Sequence, residues 1–236
     1  MYNNKKILCI IPARGGSKRL PGKNIKLLKG KPLIAYSIAA AKGSKYLDRV
    51  IVSTDDEAIA SVAKEYGAEV PFMRPSELAT DTATTLSVLQ HAVRFFEEKG
   101  EKFECIVLIQ PTVPGIMTSD IDTAIETLFT TKANSCISMC EITDRPEWMY
   151  SLSEEGHIAP YVEAAYHSQN IRSQDLPKLY RINGAVYVTP RNVLMEEGKI
   201  IDKHNCAGVL MPRERSTDID TLSDFVIAEM LMQQSQ

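Results

Sequence analysis

The segment KKILCIIPARGGSKRLPGKN, residues 5–24, runs from the apolar stretch Ile7 to Ile11 straight into a basic loop. That loop holds Arg14, Lys18, Arg19 and Lys23, together with three glycines and Pro21, and no acid. A short apolar run bounded by turn residues reads as a buried strand. Four cations on one turn repel each other unless a polyanion or solvent separates them. Paired glycines, Gly15 and Gly16, let backbone N–H groups turn toward an anion, and Arg14, Lys18 and Lys23 can surround it.

The remainder of the chain has the opposite charge. The net −3 of the 236 residues conceals eleven Lys and Arg with no acid in residues 1–47, against −14 over the rest. Such asymmetry places an anion near the N-terminus and carboxylates elsewhere. Nucleic acid fits less well, because the charges ride on a Gly/Pro loop and no basic helix with stacking aromatics follows. With 44% hydrophobic and 24% charged residues, the composition is that of an ordinary globular protein, sized for one large α/β domain or a domain with a small appendage. The run Ile7–Ile11 is too short for a signal-peptide core, and nothing approaches the ~20 apolar residues of a membrane span. The odd set of cysteines, Cys9, Cys105, Cys136, Cys140 and Cys206, sits mostly in strand-like runs without a C-x-x-C pair. They read as small hydrophobes of a reduced, cytoplasmic protein.

Downstream, strands and helices alternate. KPLIAYSIAAAKGS is helical with Pro32 in its first turn, RVIVSTD is a strand, and DDEAIASVAKEYG is a helix with acids at its start and Gly67 at its end. AEVPFMR is extended and TTLSVLQHAVRFFEEKG is an amphipathic helix. ECIVLIQ is a strand, SDIDTAIETLFTTK a helix capped by Ser119 or Asp120, and SCISMCEI a strand. After residue 180 come the strand RINGAVYVTP, a short helix near Asn192–Glu197, the strand CAGVLMP and a closing helix in DTLSDFVIAEMLMQQ. The fold class this predicts is α/β, a mostly parallel, doubly wound, Rossmann-like sheet. Arg14, the Ser53–Thr54–Asp55 run and Gln110 then share one crevice at the carboxyl ends of strands.

Residues 143–180 break the rhythm. They hold the only Trp, four Tyr, two of four His and three Pro, and read as a lid, a small subdomain or a dimer arm inserted between 1–142 and 181–236. His91, His157, His167 and His204 form no catalytic or zinc pattern.

The loop is not a Walker A motif, since Ser17 stands where its first Gly belongs and Asn24 where its Ser/Thr belongs, and no G-x-G-x-x-G can be read. PARGGSKRLPGKN followed by GKPLIAYSI instead resembles the opening of the acylneuraminate cytidylyltransferases. The likeness continues in order through VIVSTDDEAIASVAKEYGAEV, RPSELATDTATT, LIQPTVP, RINGAVYV and DIDTLSDF, almost the whole chain. The resemblance implies a nucleotidyltransferase with the matching fold. It would move CMP from CTP to the anomeric hydroxyl of a nonulosonic acid, release pyrophosphate, and use Mg²⁺. It places Arg14, Ser17, Lys18, Lys23, Asn24, Arg74, Ala83 and Thr85 on the nucleotide, with Lys23 nearest the α-phosphate. Gln110, Arg172, Arg181, Asn183 and Tyr187 fall on the acceptor, and Asp218 with Asp220 on the metal. Lys23, Arg172, Asp218 and Asp220 surround the chemistry. Plainer roles exist: Arg74 could pair with Glu77, Tyr187 could pack on the sheet, and Asp220 could cap the last helix. The 143–180 insertion matches the family's homodimer arm, its Trp148, Tyr150, Tyr161 and Tyr166 suiting an aromatic interface.

Two departures lie on the acceptor side. The family often reads Q-P-T-S-P-L-R after the fourth strand, whereas this chain has Val113 for Ser and Met117 for Arg. Arg172-Ser173-Gln174 also lacks one cation of a paired Arg. The acceptor therefore stays open among N-acetylneuraminate, KDN, legionaminate and pseudaminate. The rival readings are another nucleotide or acceptor, such as GTP with an amino sugar, and a non-catalytic nucleotide-binding protein.

Overall fold

The computed structural model describes residues 1–162 and 176–232. In chain order it begins with β1 (Ile7–Pro12), the short pair β2 (Leu27–Leu28) and β3 (Lys31–Pro32), and α1 (Leu33–Gly43). Next come β4 (Arg49–Ser53), α2 (Glu57–Glu65), α3 (Thr85–Glu97), β5 (Cys105–Ile109) and α4 (Thr118–Thr131). β6 (Ser135–Glu141) leads to the hairpin β7 (Tyr150–Leu152) and β8 (Ile158–Pro160). The chain closes with β9 (Tyr180–Pro190), α5 (Arg191–Met195), β10 (Cys206–Leu210) and α6 (Leu222–Leu231).

Six strands form the central sheet in the order β10-β6-β9-β5-β1-β4. β1 is parallel to both β4 and β5, and β10 is parallel to β6. β9 lies between β5 and β6 and runs antiparallel to both. The reason is where the chain re-enters the sheet: it leaves the end of β6 at Ile142 and is back beside that end at Leu179, with Ile142 N donating to Leu179 O at 3.1 Å. An antiparallel neighbour needs only such a return, not a crossover helix.

The central strands are buried on both faces, which is why they read as unbroken apolar runs. Along β1, Ile7, Cys9 and Ile11 enter the core under α1 and α4, while Leu8 and Ile10 enter the one under α3. β5 divides the same way, Cys105, Val107 and Ile109 against Ile106 and Leu108. A smaller cluster of Leu20, Leu28, Leu33, Ile219, Phe225 and Ala228 seats α6 beneath the basic loop.

Two helix caps differ from expectation. α4 starts at Thr118, and Asp120 sits in its first turn, where its carboxylate accepts from Met117 N at 2.8 Å. α6 is capped by Thr221, whose hydroxyl accepts from Asp224 N, while Asp224 accepts from Thr221 N. Asp220 is thereby released from capping. All five cysteines are free, four of them buried. Among the described residues no helix is long and apolar enough to cross a membrane.

Candidate active site

β1, β4 and β5 are parallel neighbours, so their carboxyl ends open on one side. The chain leaves β1 for β4 and then returns across β1 to β5, and this reversal of strand order leaves a crevice. The crevice measures about 430 Å³. Arg14, Ser17, Lys18, Lys23 and Asn24 line it from the loop after β1, Arg74 and Ala83 from the arm before α3, and Thr85 from the first position of that helix. Gln110 enters from the end of β5, and Asp218 and Asp220 from the approach to α6.

Local chemistry sets the loop. A Cβ on Gly15 would lie 2.5 Å from Asp56 Oδ2, so only glycine fits against the start of α2. Its N–H is not free for an anion, because it donates to Asp55 Oδ1 at 3.2 Å. Asn24 is buried; its Nδ2 donates to Arg14 O at 3.0 Å, and its Oδ1 finds no partner among the described residues. Lys23 Nζ stands 2.9 Å from Asp220 Oδ1 and 2.9 Å from Ile219 O, and Arg19 holds the other Asp220 oxygen at 3.1 Å.

Arg74 is buried, and its partner is Asp55 at 3.6 Å, not Glu77; Nη2 also donates to Ser53 O at 3.0 Å. Asp55 sits at the end of β4 and thus faces Arg74 and the Gly15 N–H with one oxygen. Burial pulls the Arg74 guanidinium below its usual range, with Asp55 opposing. Behind this arm, His91 of α3 meets the Phe72 ring edge-on, and its Nδ1 is buried without a partner among the described residues. Burial holds its imidazole below the ordinary 6.5, with nearby Glu77 and Glu98 opposing and Arg74 and Arg94 assisting. The unfolded chain then binds a proton that the folded one resists. Stability present above pH 6.5 is lost as pH falls below it. Thermal melts between pH 7 and 5 should show this decline, and His91→Phe should flatten it.

Asp218 is mostly buried, and its Oδ1 has no hydrogen-bond partner among the described residues. Burial pushes its carboxyl above the usual range and the charge of Asp220 adds to this; Thr112, Lys23 and Arg181 oppose. Asp218 also borders a second depression of about 510 Å³, shared with Arg181 and Arg213.

The acceptor-side expectations separate here. Gln110 faces the crevice, next to Gly184, whose φ of +82° and missing Cβ admit the amide. Tyr187 stands near Asp218 but packs on the core under α3. Asn183 does not line the crevice. It is almost fully buried, and its amide is spent on Ser138 at 2.6 Å and Ser216 at 2.9 Å, which fastens β9 to β6 and to the segment before Asp218. Val113 is wholly buried, so its difference from the family is one of packing. Arg172 and Tyr166 lie outside the described residues. Of the strand ends expected to share the crevice, Arg14 and Gln110 line it, while the Ser53–Thr54–Asp55 run stands behind it, Asp55 holding Gly15 N and Arg74. Sequence reasoning overlooked Asp81 and Thr112; a signal existed for Asp81, an acid within RPSELATDTATT facing so much positive charge.

The cytidylyltransferase family model matches residues 8–204. The chain belongs to the cytidylyltransferase family. As such it is a nucleotidyltransferase. This cytidylyltransferase is 35% identical over 231 residues to the CMP-N,N'-diacetyllegionaminic acid synthase of Legionella pneumophila subsp. pneumophila, covering 98% of each chain. It is 37% identical over 226 residues to the pseudaminic acid cytidylyltransferase of Campylobacter jejuni subsp. jejuni, covering 96% of each. Among solved structures, a CMP:2-keto-3-deoxy-manno-octonic acid synthetase complexed with CTP superposes with a TM-score of 0.72 at 18% identity, over 98% of this chain and all of that one. That likeness establishes the doubly wound fold of this cytidylyltransferase.

Proposed function

We propose that the protein transfers CMP from CTP to the anomeric hydroxyl of a nonulosonic acid and releases pyrophosphate. One observation carries the reading: the basic loop, the Arg74–Thr85 arm and the Asp218/Asp220 pair all line a single crevice. The anomeric hydroxyl attacks the α-phosphorus through its oxygen and loses its proton to solvent, the bond to the β-phosphate breaks, and the leaving pyrophosphate carries the electron pair. Such transfers need positioning and charge neutralisation more than covalent help from the protein. Arg14 and Lys18 receive the outer phosphates, Lys23 the α-phosphate, and the Arg74 arm the nucleoside.

Asp218 and Asp220 fit a hard divalent ion. Asp218 offers a buried oxygen without a partner among the described residues; Asp220, whose two oxygens hold Lys23 and Arg19, would exchange one of those pairs for the ion; and both line the crevice. No cluster of three or more His, Cys, Asp or Glu suited to a metal occurs among the described residues, and this reading assigns the ion to these two carboxylates. Mg²⁺ suits such a sparse oxygen set, and when bound it would supply further neutralisation of phosphate charge.

For the acceptor, Arg181 and Arg213 beside Asp218 offer cations to a sugar carboxylate, and Gln110 offers its amide. The legionaminate and pseudaminate names of the two relatives favour those acids. The same reading includes a cytoplasmic homodimer, supported by free thiols and by the exposed Trp148, Tyr150, Leu152, Ile158 and Tyr161 of the inserted hairpin.

The test mixes protein, Mg²⁺ and either CTP or GTP with legionaminate, pseudaminate, N-acetylneuraminate or KDN and reads pyrophosphate. Release is expected with CTP and at least one of the first two. Release only with GTP would change the nucleotide, and silence with every acceptor would leave a nucleotide-binding protein.

A further inference from the structure

All four cations of the basic loop face carboxylates. Lys23 and Arg19 share Asp220, while Arg14 and Lys18 share Asp81. The second arrangement is two-pronged. Asp81 Oδ1 lies 2.9 Å from Arg14 Nη1, and Oδ2 lies 2.5 Å from Lys18 Nζ. Arg14 Nη1 also donates to Thr80 O at 3.4 Å. Arg14, Lys18, Thr80 and Asp81 all line the crevice. Lys18 and Arg14 hold the Asp81 carboxyl below the usual carboxylate range, which keeps it anionic at neutral pH.

Two features set this contact apart from an ordinary surface ion pair. Asp81 lies 67 residues from Arg14, on the arm that also carries Ala83 and Thr85, so it ties the phosphate side of the crevice to the nucleoside side. Its two oxygens also bridge two cations, the pattern that a terminal phosphate would present to them.

We propose that Asp81 is an internal anion that occupies the phosphate cradle when nucleotide is absent, is displaced by the incoming phosphates, and returns as pyrophosphate leaves. The proposal rests on reading the basic loop as the triphosphate site. Asp81 is a positioning residue, since it touches the cations and not the substrate. Phosphate binding then exchanges ion pairs instead of adding them, which moderates affinity and eases product release. Breaking the tie also frees the arm around residues 80–85 to close on the base.

Asp81→Asn keeps the size and one carbonyl acceptor but removes the charge. Sodium pyrophosphate, titrated calorimetrically into wild type and variant at low salt, is expected to bind the variant roughly three- to ten-fold more tightly, the scale of two lost exposed ion-pair competitors. Product inhibition by pyrophosphate should tighten in parallel, and Asp81→Glu should return it toward wild type. A residue that merely shapes the loop would shift affinity the other way. Unchanged or weaker binding by Asp81→Asn overturns the proposal; a wild type that binds no pyrophosphate overturns the triphosphate reading and the proposal with it. Should Asp81→Asn not fold, Asp81→Ser enters the same titration under the same criteria.

Discussion

Replacing Lys23 with alanine is expected to lower kcat roughly 10²–10³-fold while the circular dichroism spectrum stays that of the wild type. Of the four loop cations Lys23 is the most enclosed, its side chain 14% exposed against 35% for Arg14 and more for the others. Water screens an enclosed ammonium less, so its effect on developing negative charge is larger. Its position is also prepared in advance: Ile219 O and Asp220 both hold Nζ, and Gly22 at φ +66° turns the chain into the 3₁₀ turn that carries it. On the proposed reading, substrate phosphates therefore meet a cation already held in place. The loss should fall on kcat more than on the KM for CTP, because in the proposed function Arg14 and Lys18 remain to bind the outer phosphates. Arginine should not restore the rate, since a planar fork does not replace a compact ammonium in that space. A Lys23→Ala enzyme within ten-fold of wild type would remove Lys23 from the reacting phosphate.

The largest stability effect is expected at Asp120. Its carboxylate takes Arg215 at both prongs, Nη1 at 2.6 Å and Nη2 at 3.0 Å, and accepts from Met117 N at 2.8 Å. Arg215 Nη1 also donates to Gly115 O at 2.9 Å. This cluster joins the turn after β5 to the segment that runs into Asp218. Asp120→Ala would strand a guanidinium and a backbone N–H in a largely buried place. Breaking a buried pair from one side costs about 3–5 kcal/mol. Arg215 keeps a fifth of its side chain in water, so about 3 kcal/mol is the better figure after discounting for screening. In a chain of this size that lowers Tm by roughly 6–12 °C. A melting curve that does not move would show that the pair adds nothing beyond what water supplies.

Much of the architecture was readable from residue order. β1, β4, β5 and β6 show as short apolar runs because both of their faces are buried, and α3 shows as a helix because one of its faces is not. The basic loop, the Arg74–Thr85 arm and the Asp218/Asp220 pair were equally visible as patterns, each confined to a dozen residues or fewer. What those patterns omitted was direction and partnership. The strand β9 reads as a strand either way, and its antiparallel course follows from the chain's return at Leu179 beside the end of β6. Asn183 resembles a ligand-facing amide until Ser138 and Ser216 are found on either side of it. Asp220 resembles a helix cap until Thr221 and Asp224 cap the helix without it.

By itself the sequence determined which segments become strands and helices, and which segments carry charge toward a crevice, because these depend on periodicity and on neighbours a few residues apart. Only the tertiary structure decided which charges meet. Lys23 reaches Asp220 across 197 residues, and Arg14 reaches Asp81 across 67. Such contacts are set by the packing of α6 beneath the basic loop and of the arm against the edge strand β4, and a local pattern holds no record of distances fixed by packing so far along the chain.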